Sequence, residues 1–379
     1  MTPQEVLEYF TRRESAITDA IREIVELESP SYDCELSAAV VDWIEARLRE
    51  LPTDLEFEHV EADGVGTHLI IRAFPGEGPC TMLLGHTDTV HAVGTKEKNP
   101  TRIEGDRLYG CGTFDMKANI ILMIEAFRYF AETRTAPQRP VNIVLSCDEE
   151  VGSRTGRAIV EREAANAECC LIPEPSAAGR VKTARKGTGM FRLIAHGIPA
   201  HAGLDPEKGA NAVAELARQV DNIHALADAS VGTTVNVTTF HGGTTTNVIP
   251  DRAECDIDVR FSNTGEAERV EEALRSLTTT DARVSLELLG AINRPPLERT
   301  EAVIELYQKA RDIAASFGYE LGETQVGGAS DGNFVAALGV PVLDGLGLEG
   351  DGAHRLDEHI LVSDIARRAT LVTLLLGQE

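Results

Sequence analysis

Residues 80–84, Cys-Thr-Met-Leu-Leu, form a short apolar run that stops at Gly85 and is followed at once by His86, Thr87 and Asp88. An unbroken apolar run of this length is the pattern of a strand buried on both faces, as in a parallel sheet. In open sheets of that kind, ligands sit beyond the carboxyl ends of the strands. A His-x-Asp at that point offers an imidazole to a metal and a carboxylate to hold that imidazole or its neighbours. Alone, the motif is weak and reads more readily as a surface turn. What gives it weight is recurrence.

Residues 141–147 (VNIVLSC) lead into Asp148, Glu149 and Glu150, and residues 168–172 (ECCLI) lead into Pro173 and Glu174. The segment GCGTFDMK sets Asp115 just before an apolar helical stretch, 116–130. Near the C-terminus, an apolar run over 340–348 leads to GDGAH and His354. One carboxylate after a strand is unremarkable. His, Asp, Glu-Glu, Glu and His after successive elements make the ligand set of a two-metal site. The competing reading is a set of solvated loop charges on an acidic protein.

The chain of 379 residues has room for about two domains. A formal charge of −25 argues against nucleic acid or an anionic membrane as partner. No run approaches the roughly 20 apolar residues of a membrane helix. TPQEVLEYF offers Thr2 as a helix cap, Pro3 at the first helical position and Glu5 as the returning partner. A helix from residue 3 leaves no room for a signal peptide, so a cytoplasmic protein is expected. Seven cysteines is an odd number, and Cys80, Cys147, Cys169, Cys170 and Cys255 lie in strand-like runs. They read as buried thiols rather than a disulfide framework.

Amphipathic helices are predicted at 3–28 and 35–50, then strands near 54–60, 67–73 and 80–85. Helix 116–132, strand 141–147, a helix near 154–164 and strand 168–172 follow. The alternation predicts an α/β fold, a mostly parallel sheet covered by helices. From about residue 184 the order becomes βαββαβ (188–197, 209–228, 231–240, 252–261, 264–277, 282–290), the ferredoxin-like split unit. Helices at 301–316, 330–338 and 362–376 and a strand at 340–344 then resume the first style. Glu174 precedes the insert and His354 follows it. The expected layout is therefore a discontinuous catalytic domain, 1–183 and 293–379, with an inserted lid, 184–292.

GHTDTV (85–90), GDRLYGCGTFDMK (105–117), DEEVGS (148–153), PEP (173–175), GIPAHAG (197–203) and GGASDGNF (327–334) stand in the order and spacing of one family. The chain resembles the dinuclear zinc peptidases and deacylases that include glutamate carboxypeptidase, acetylornithine deacetylase and succinyl-diaminopimelate desuccinylase. The closing segment PVLDGLGLEGDGAHRLDEHI resembles most the glutamate carboxypeptidase branch. The resemblance implies two Zn²⁺ per subunit, with Co²⁺ or Mn²⁺ as substitutes. His86 and Glu174 would hold one, Glu150 and His354 the other, and Asp115 would bridge them. Asp88 would orient His86, and Glu149 would be the general base acting on a water between the metals. On an extended chain Glu149 and Glu150 point opposite ways and cannot easily share one task.

By the same resemblance the insert forms the interface of a homodimer, and His201 reaches across it to stabilise an oxyanion. Asn247 and Arg260 resemble residues that hold a substrate carboxylate, with Arg185 and Gly328 as further candidates by position. The implied activity is hydrolysis of the amide bond of an N-acyl or peptidyl amino acid, releasing a C-terminal glutamate. The alternative is a deacylase of small N-acyl amino acids. A metal-binding protein without catalysis would lack Glu149 or a ligand, and none is missing. The chain departs from the family's usual residues at Cys111, Ala118-Asn119 and Cys147, none of them a ligand position. His59, His68, His91, His224 and His241 match no ligand position and read as structural or surface.

Overall fold

The computed structural model describes residues 2–377. Helix Pro3–Val25 begins at the expected cap: the Glu5 N–H donates to Thr2 Oγ1 at 3.3 Å and the Thr2 N–H donates to the Glu5 carboxylate at 2.8 Å. The chain divides into two compact units. The first comprises Met1–Ala184, Arg299–Val326 and Ser330–Glu379; the second comprises Arg185–Glu298 with Gly327–Ala329, so it ends at 298 where the sequence suggests 292.

Eight strands form one sheet, in the order Leu55–Ala62, Gly66–Ala73, Val141–Ser146, Cys80–His86, Ala167–Ile172, Val342–Asp344, Val181–Arg185 and Glu323–Val326. At its centre, 80–86 runs parallel to 141–146 and to 167–172, and 167–172 runs parallel to 342–344. Antiparallel pairs flank this centre. Strand Cys80–His86 is buried at every residue, because helices cover both faces. On one face Leu83, Ile143, Leu145 and Leu171 join a core with helices Pro3–Val25, Cys34–Arg49, Ala118–Thr133, Glu301–Ser316 and Ile365–Gly377. On the other, helices Gly156–Ala164 and Gly332–Ala337 pack on the strands. Because the central strands are parallel neighbours, their carboxyl ends lie side by side. The residues just beyond them emerge on one rim.

Two local features were not legible in the sequence. Helix Ala118–Thr133 starts later than the apolar pattern suggests, because Asp115 (φ −120°, ψ 91°) and Met116 (φ −134°, ψ 27°) leave helical geometry in the preceding turn, Thr113–Lys117. A small antiparallel sheet joins Gly350–Asp351, His359–Leu361, Arg107–Tyr109 and Arg102–Glu104 in that order. It ties the C-terminal loop bearing His354 to the segment that leads into Asp115.

In the second unit four antiparallel strands lie in the order Thr234–Gly242, Arg252–Phe261, Gly187–His196 and Ser285–Arg294. Alternate residues of Arg252–Phe261 are buried (Ala253, Cys255, Ile257, Val259, Phe261) against Leu216 and Ile223 of helix Ala212–His224 and Val270 and Leu274 of helix Thr264–Arg275. This is the ferredoxin-like arrangement that the βαββαβ order predicts. No helix of the described residues is long and apolar enough to cross a membrane.

Candidate metal centre

Five side chains of the first unit converge at the rim. His86 ends its strand, Asp115 sits in the turn before helix Ala118–Thr133, and Glu150 lies in a 3-10 turn, Glu149–Val151, after strand Val141–Ser146. Glu174 follows strand Ala167–Ile172, and His354 stands at φ 65° in the loop between Gly350–Asp351 and His359–Leu361. His86 Nε2 lies 3.2 Å from Asp115 Oδ1 and 3.4 Å from Glu174 Oε1. His354 Nε2 lies 3.1 Å from Glu150 Oε2 and 3.6 Å from Asp115 Oδ2. Each oxygen of Asp115 thus faces a different imidazole. His86, Asp115 and Glu150 offer ligand atoms that all lie within 4.8 Å of one another.

The electrostatics call for a cation. Burial opposes a charge on His86, yet the Asp115, Asp88 and Glu174 carboxylates outweigh it and hold the imidazole well above its ordinary range. Asp115 and Glu150 push His354 up to about 10. Burial raises Glu150, whereas the two imidazoles carry Asp115 below the usual carboxylate range against its own burial. Glu150 Oε1 is buried with no hydrogen-bond partner, which a bound ion would satisfy. Imidazole with carboxylate is a donor set that zinc accepts, so the residues present fit such an ion.

Asp88 organises this cluster through both its backbone carbonyl and its carboxylate. Its carbonyl oxygen lies 2.9 Å from His86 Nδ1 and its carboxylate 3.5 Å away. With an ion bound, a hydrogen on Nδ1 toward that carbonyl would leave the Nε2 lone pair for the ion. The Asp88 carboxylate accepts from the Ser31 hydroxyl at 2.6 Å and from the Glu149 and Glu150 N–H groups at 3.2 Å each. The two glutamates are therefore set by a turn anchored on Asp88, not by an extended chain. Asp148 instead accepts from the Thr155 and Gly156 N–H groups at the start of helix Gly156–Ala164.

The departures from the family's usual residues have structural roles. Asn119, fully buried, donates to the Phe114 carbonyl and accepts from the Leu348 N–H, both at 2.9 Å. Asn119→Ala would leave both groups unpaired, and about 1–3 kcal/mol of stability should be lost in urea denaturation. No measurable loss would mean that they find other partners. Cys147 is buried beside His68, and burial pushes its thiol up. Cys111 is buried likewise, its thiol raised to about 11.

In the second unit His201 is exposed, and its Nδ1 accepts from the Gly203 and Leu204 N–H groups at 3.1 Å each. That leaves Nε2 to carry the hydrogen. Its strand Ala200–His201 pairs with Val248–Ile249, and the Asn247 carbonyl accepts from the Ala202 N–H at 2.9 Å. Arg260 forks onto Asp258 through three hydrogen bonds of 2.8–3.1 Å. Arg185 is buried and donates to the Gly328 carbonyl at 3.3 Å, so these two candidates meet each other. Ser31, Asn119 and Glu358, which contact the ligand-bearing loops, carry no sequence signal of that role.

The family model "Peptidase family M20/M25/M40" matches residues 82–378. Carboxypeptidase G2 of Pseudomonas sp. (strain RS-16) is 27% identical over 372 residues, covering 97% of this chain and 90% of that protein. Succinyl-diaminopimelate desuccinylase of Verminephrobacter eiseniae is 31% identical over 304 residues, covering 75% of this chain and 74% of that protein. Among solved structures, aminopeptidase PepT of Bacillus cereus shares the fold with a TM-score of 0.77 at 22% identity, over 96% of this chain and 98% of that one. The match runs from inside strand Cys80–His86 through His354, across all five converging residues, and the chain belongs to the peptidase family M20/M25/M40, metal-dependent peptidases and deacylases.

Proposed function

We propose that the protein is a two-zinc hydrolase that cleaves the amide bond of an N-acyl or peptidyl amino acid and releases a C-terminal glutamate. The observation that carries the reading is the Asp115 carboxylate, one oxygen toward each imidazole, with Glu174 and Glu150 as the outer acids. His86 and Glu174 would hold one ion, Glu150 and His354 the other, and Asp115 both. Bound zinc supplies Lewis acidity, lowering the pKa of water and polarising the scissile carbonyl.

The remaining work falls to side chains. Glu149 accepts a proton from the attacking water and delivers it to the leaving nitrogen as the C–N bond breaks. His201, its Nδ1 occupied by two amides, donates from Nε2 to the oxygen that becomes negative. Arg260, with Asn247 beside it in role, receives the substrate carboxylate in place of Asp258, to which it is now paired. Strands Thr234–Gly242 and Ser285–Arg294 are edges of the second unit's sheet, surfaces through which two copies could pair as a homodimer.

Similarity to carboxypeptidase G2 over nearly the whole chain favours glutamate release, and similarity to succinyl-diaminopimelate desuccinylase supports the deacylase alternative. A panel of N-acyl amino acids and dipeptides, assayed with zinc and then cobalt, separates them. Turnover is expected to be fastest on substrates ending in glutamate. Faster turnover of N-acyl amino acids without a C-terminal glutamate would establish the deacylase. No turnover of either class would overturn both.

A further inference from the structure

Glu358 lies four residues beyond His354 and no part of it reaches solvent. Four N–H donors converge on its carboxylate. Oε1 accepts from the Phe114 N–H at 2.8 Å and the Asp115 N–H at 2.9 Å. Oε2 accepts from the Gly112 N–H at 2.9 Å and faces His91 Nε2 at 2.6 Å. The backbone is engaged as well: the Glu358 carbonyl accepts from the Gly110 N–H at 3.2 Å. On the other side the His354 loop closes tightly over it. Gly352 stands at φ 85°, and a Cβ there would come within 2.9 Å of the Glu358 N and Cα. One residue therefore touches both the turn that presents Asp115 and the loop that presents His354.

The chemistry of the cradle selects a carboxylate. An ionised carboxylate has about four acceptor sites and no donor, which matches four converging N–H groups. An amide of the same shape would turn an NH₂ against at least two of them. Buried charge is costly without such partners, so Glu358 is held by the turn as firmly as it holds the turn. Lys117 adds a buried ammonium within its electrostatic reach, hydrogen-bonded to the Leu27 carbonyl. The hydrogen bond to the N–H of Asp115 itself acts directly on the residue that faces both imidazoles.

We infer that Glu358 is the positioning residue of the metal centre: with His91 behind it, it sets the Asp115 turn against the His354 loop, and it acts on metal affinity beyond its part in folding. This rests on the two-zinc reading above. Residues that orient metal ligands from behind typically alter affinity about 10–100-fold when replaced.

The test uses the full chain, freed of metal by chelator dialysis. Co²⁺ is titrated and followed by its visible absorption, and Zn²⁺ is titrated in competition with a chromophoric chelator. Thermal unfolding of the metal-free forms is measured beside them. Glu358→Gln is expected to lose about 10–100-fold in affinity for at least one ion and to shift the cobalt spectrum. Its metal-free form should also unfold at a lower temperature, because the NH₂ of the amide would face buried N–H donors. The change in the cobalt spectrum is the readout that lost stability alone would not move. Parent affinity and spectrum in Glu358→Gln would overturn the inference, and so would lower metal-free stability with unchanged affinity. If Glu358→Gln does not fold, His91 decides: His91→Leu removes one donor and should weaken binding, while His91→Gln keeps a donor and should restore it. Equal affinity for His91→Leu and the parent would overturn the inference. If the parent itself takes up no cobalt or zinc, the two-zinc reading fails first and this inference with it.

Discussion

Glu149→Gln is expected to keep the metal content of the parent and to lose about 10²–10⁴-fold or more in kcat. The substitution keeps the shape of the side chain but removes its ability to accept a proton. It also leaves untouched the backbone contact that fixes the turn, because Asp88 holds residue 149 by its N–H at 3.2 Å. Glu150 cannot take over. It faces His354 at 3.1 Å, and the same turn anchors its own N–H on Asp88. Metal analysis and steady-state kinetics on the same preparation check the prediction. Turnover near the parent's with full metal content would remove Glu149 from the role of general base.

His201→Ala is expected to cost about 10²–10³ in kcat, the usual contribution of one oxyanion donor, with metal content unchanged. Its geometry is suited to donation because the Gly203 and Leu204 amides occupy Nδ1 and fix the hydrogen on Nε2. The effect should fall on kcat more than on KM, since the oxygen becomes negative only on the way to the transition state. If two copies pair through the second unit and His201 serves the partner's site, mixing His201→Ala with Glu149→Gln should regenerate activity. In the mixed dimer one site has an intact Glu149 and receives an intact His201. Subunit exchange must be demonstrated in the same samples. Activity that stays at the level of the separate variants, once exchange is shown, would rule out action across the interface.

Much of the fold was legible in the chain because period encodes burial. The unbroken run 80–84 announces a strand covered on both faces, and strand Cys80–His86 is buried throughout. The change to βαββαβ after residue 184 announces the second unit's four-stranded sheet in the same local terms. The types of residue at the rim were legible too, since His86, Glu150 and Glu174 follow parallel strands and must leave them on one side.

What the chain alone could not decide is how polar groups far apart in sequence satisfy one another. The Glu358 carboxylate and the N–H of Asp115 are 243 positions apart, and Asn119 and Leu348 are 229 apart. Neither pairing leaves a periodic trace. The 3-10 turn that separates Glu149 from Glu150 depends on Asp88, 61 and 62 positions away, so an extended chain was the only local reading. Arg260 lies on a strand as the pattern predicts, yet only the folded chain shows its fork engaged with Asp258. Sequence determines which faces are apolar, through local spacing; the hydrogen-bond partners of buried polar groups are decided when tertiary packing removes water and leaves each donor and acceptor only the neighbours the fold brings within reach.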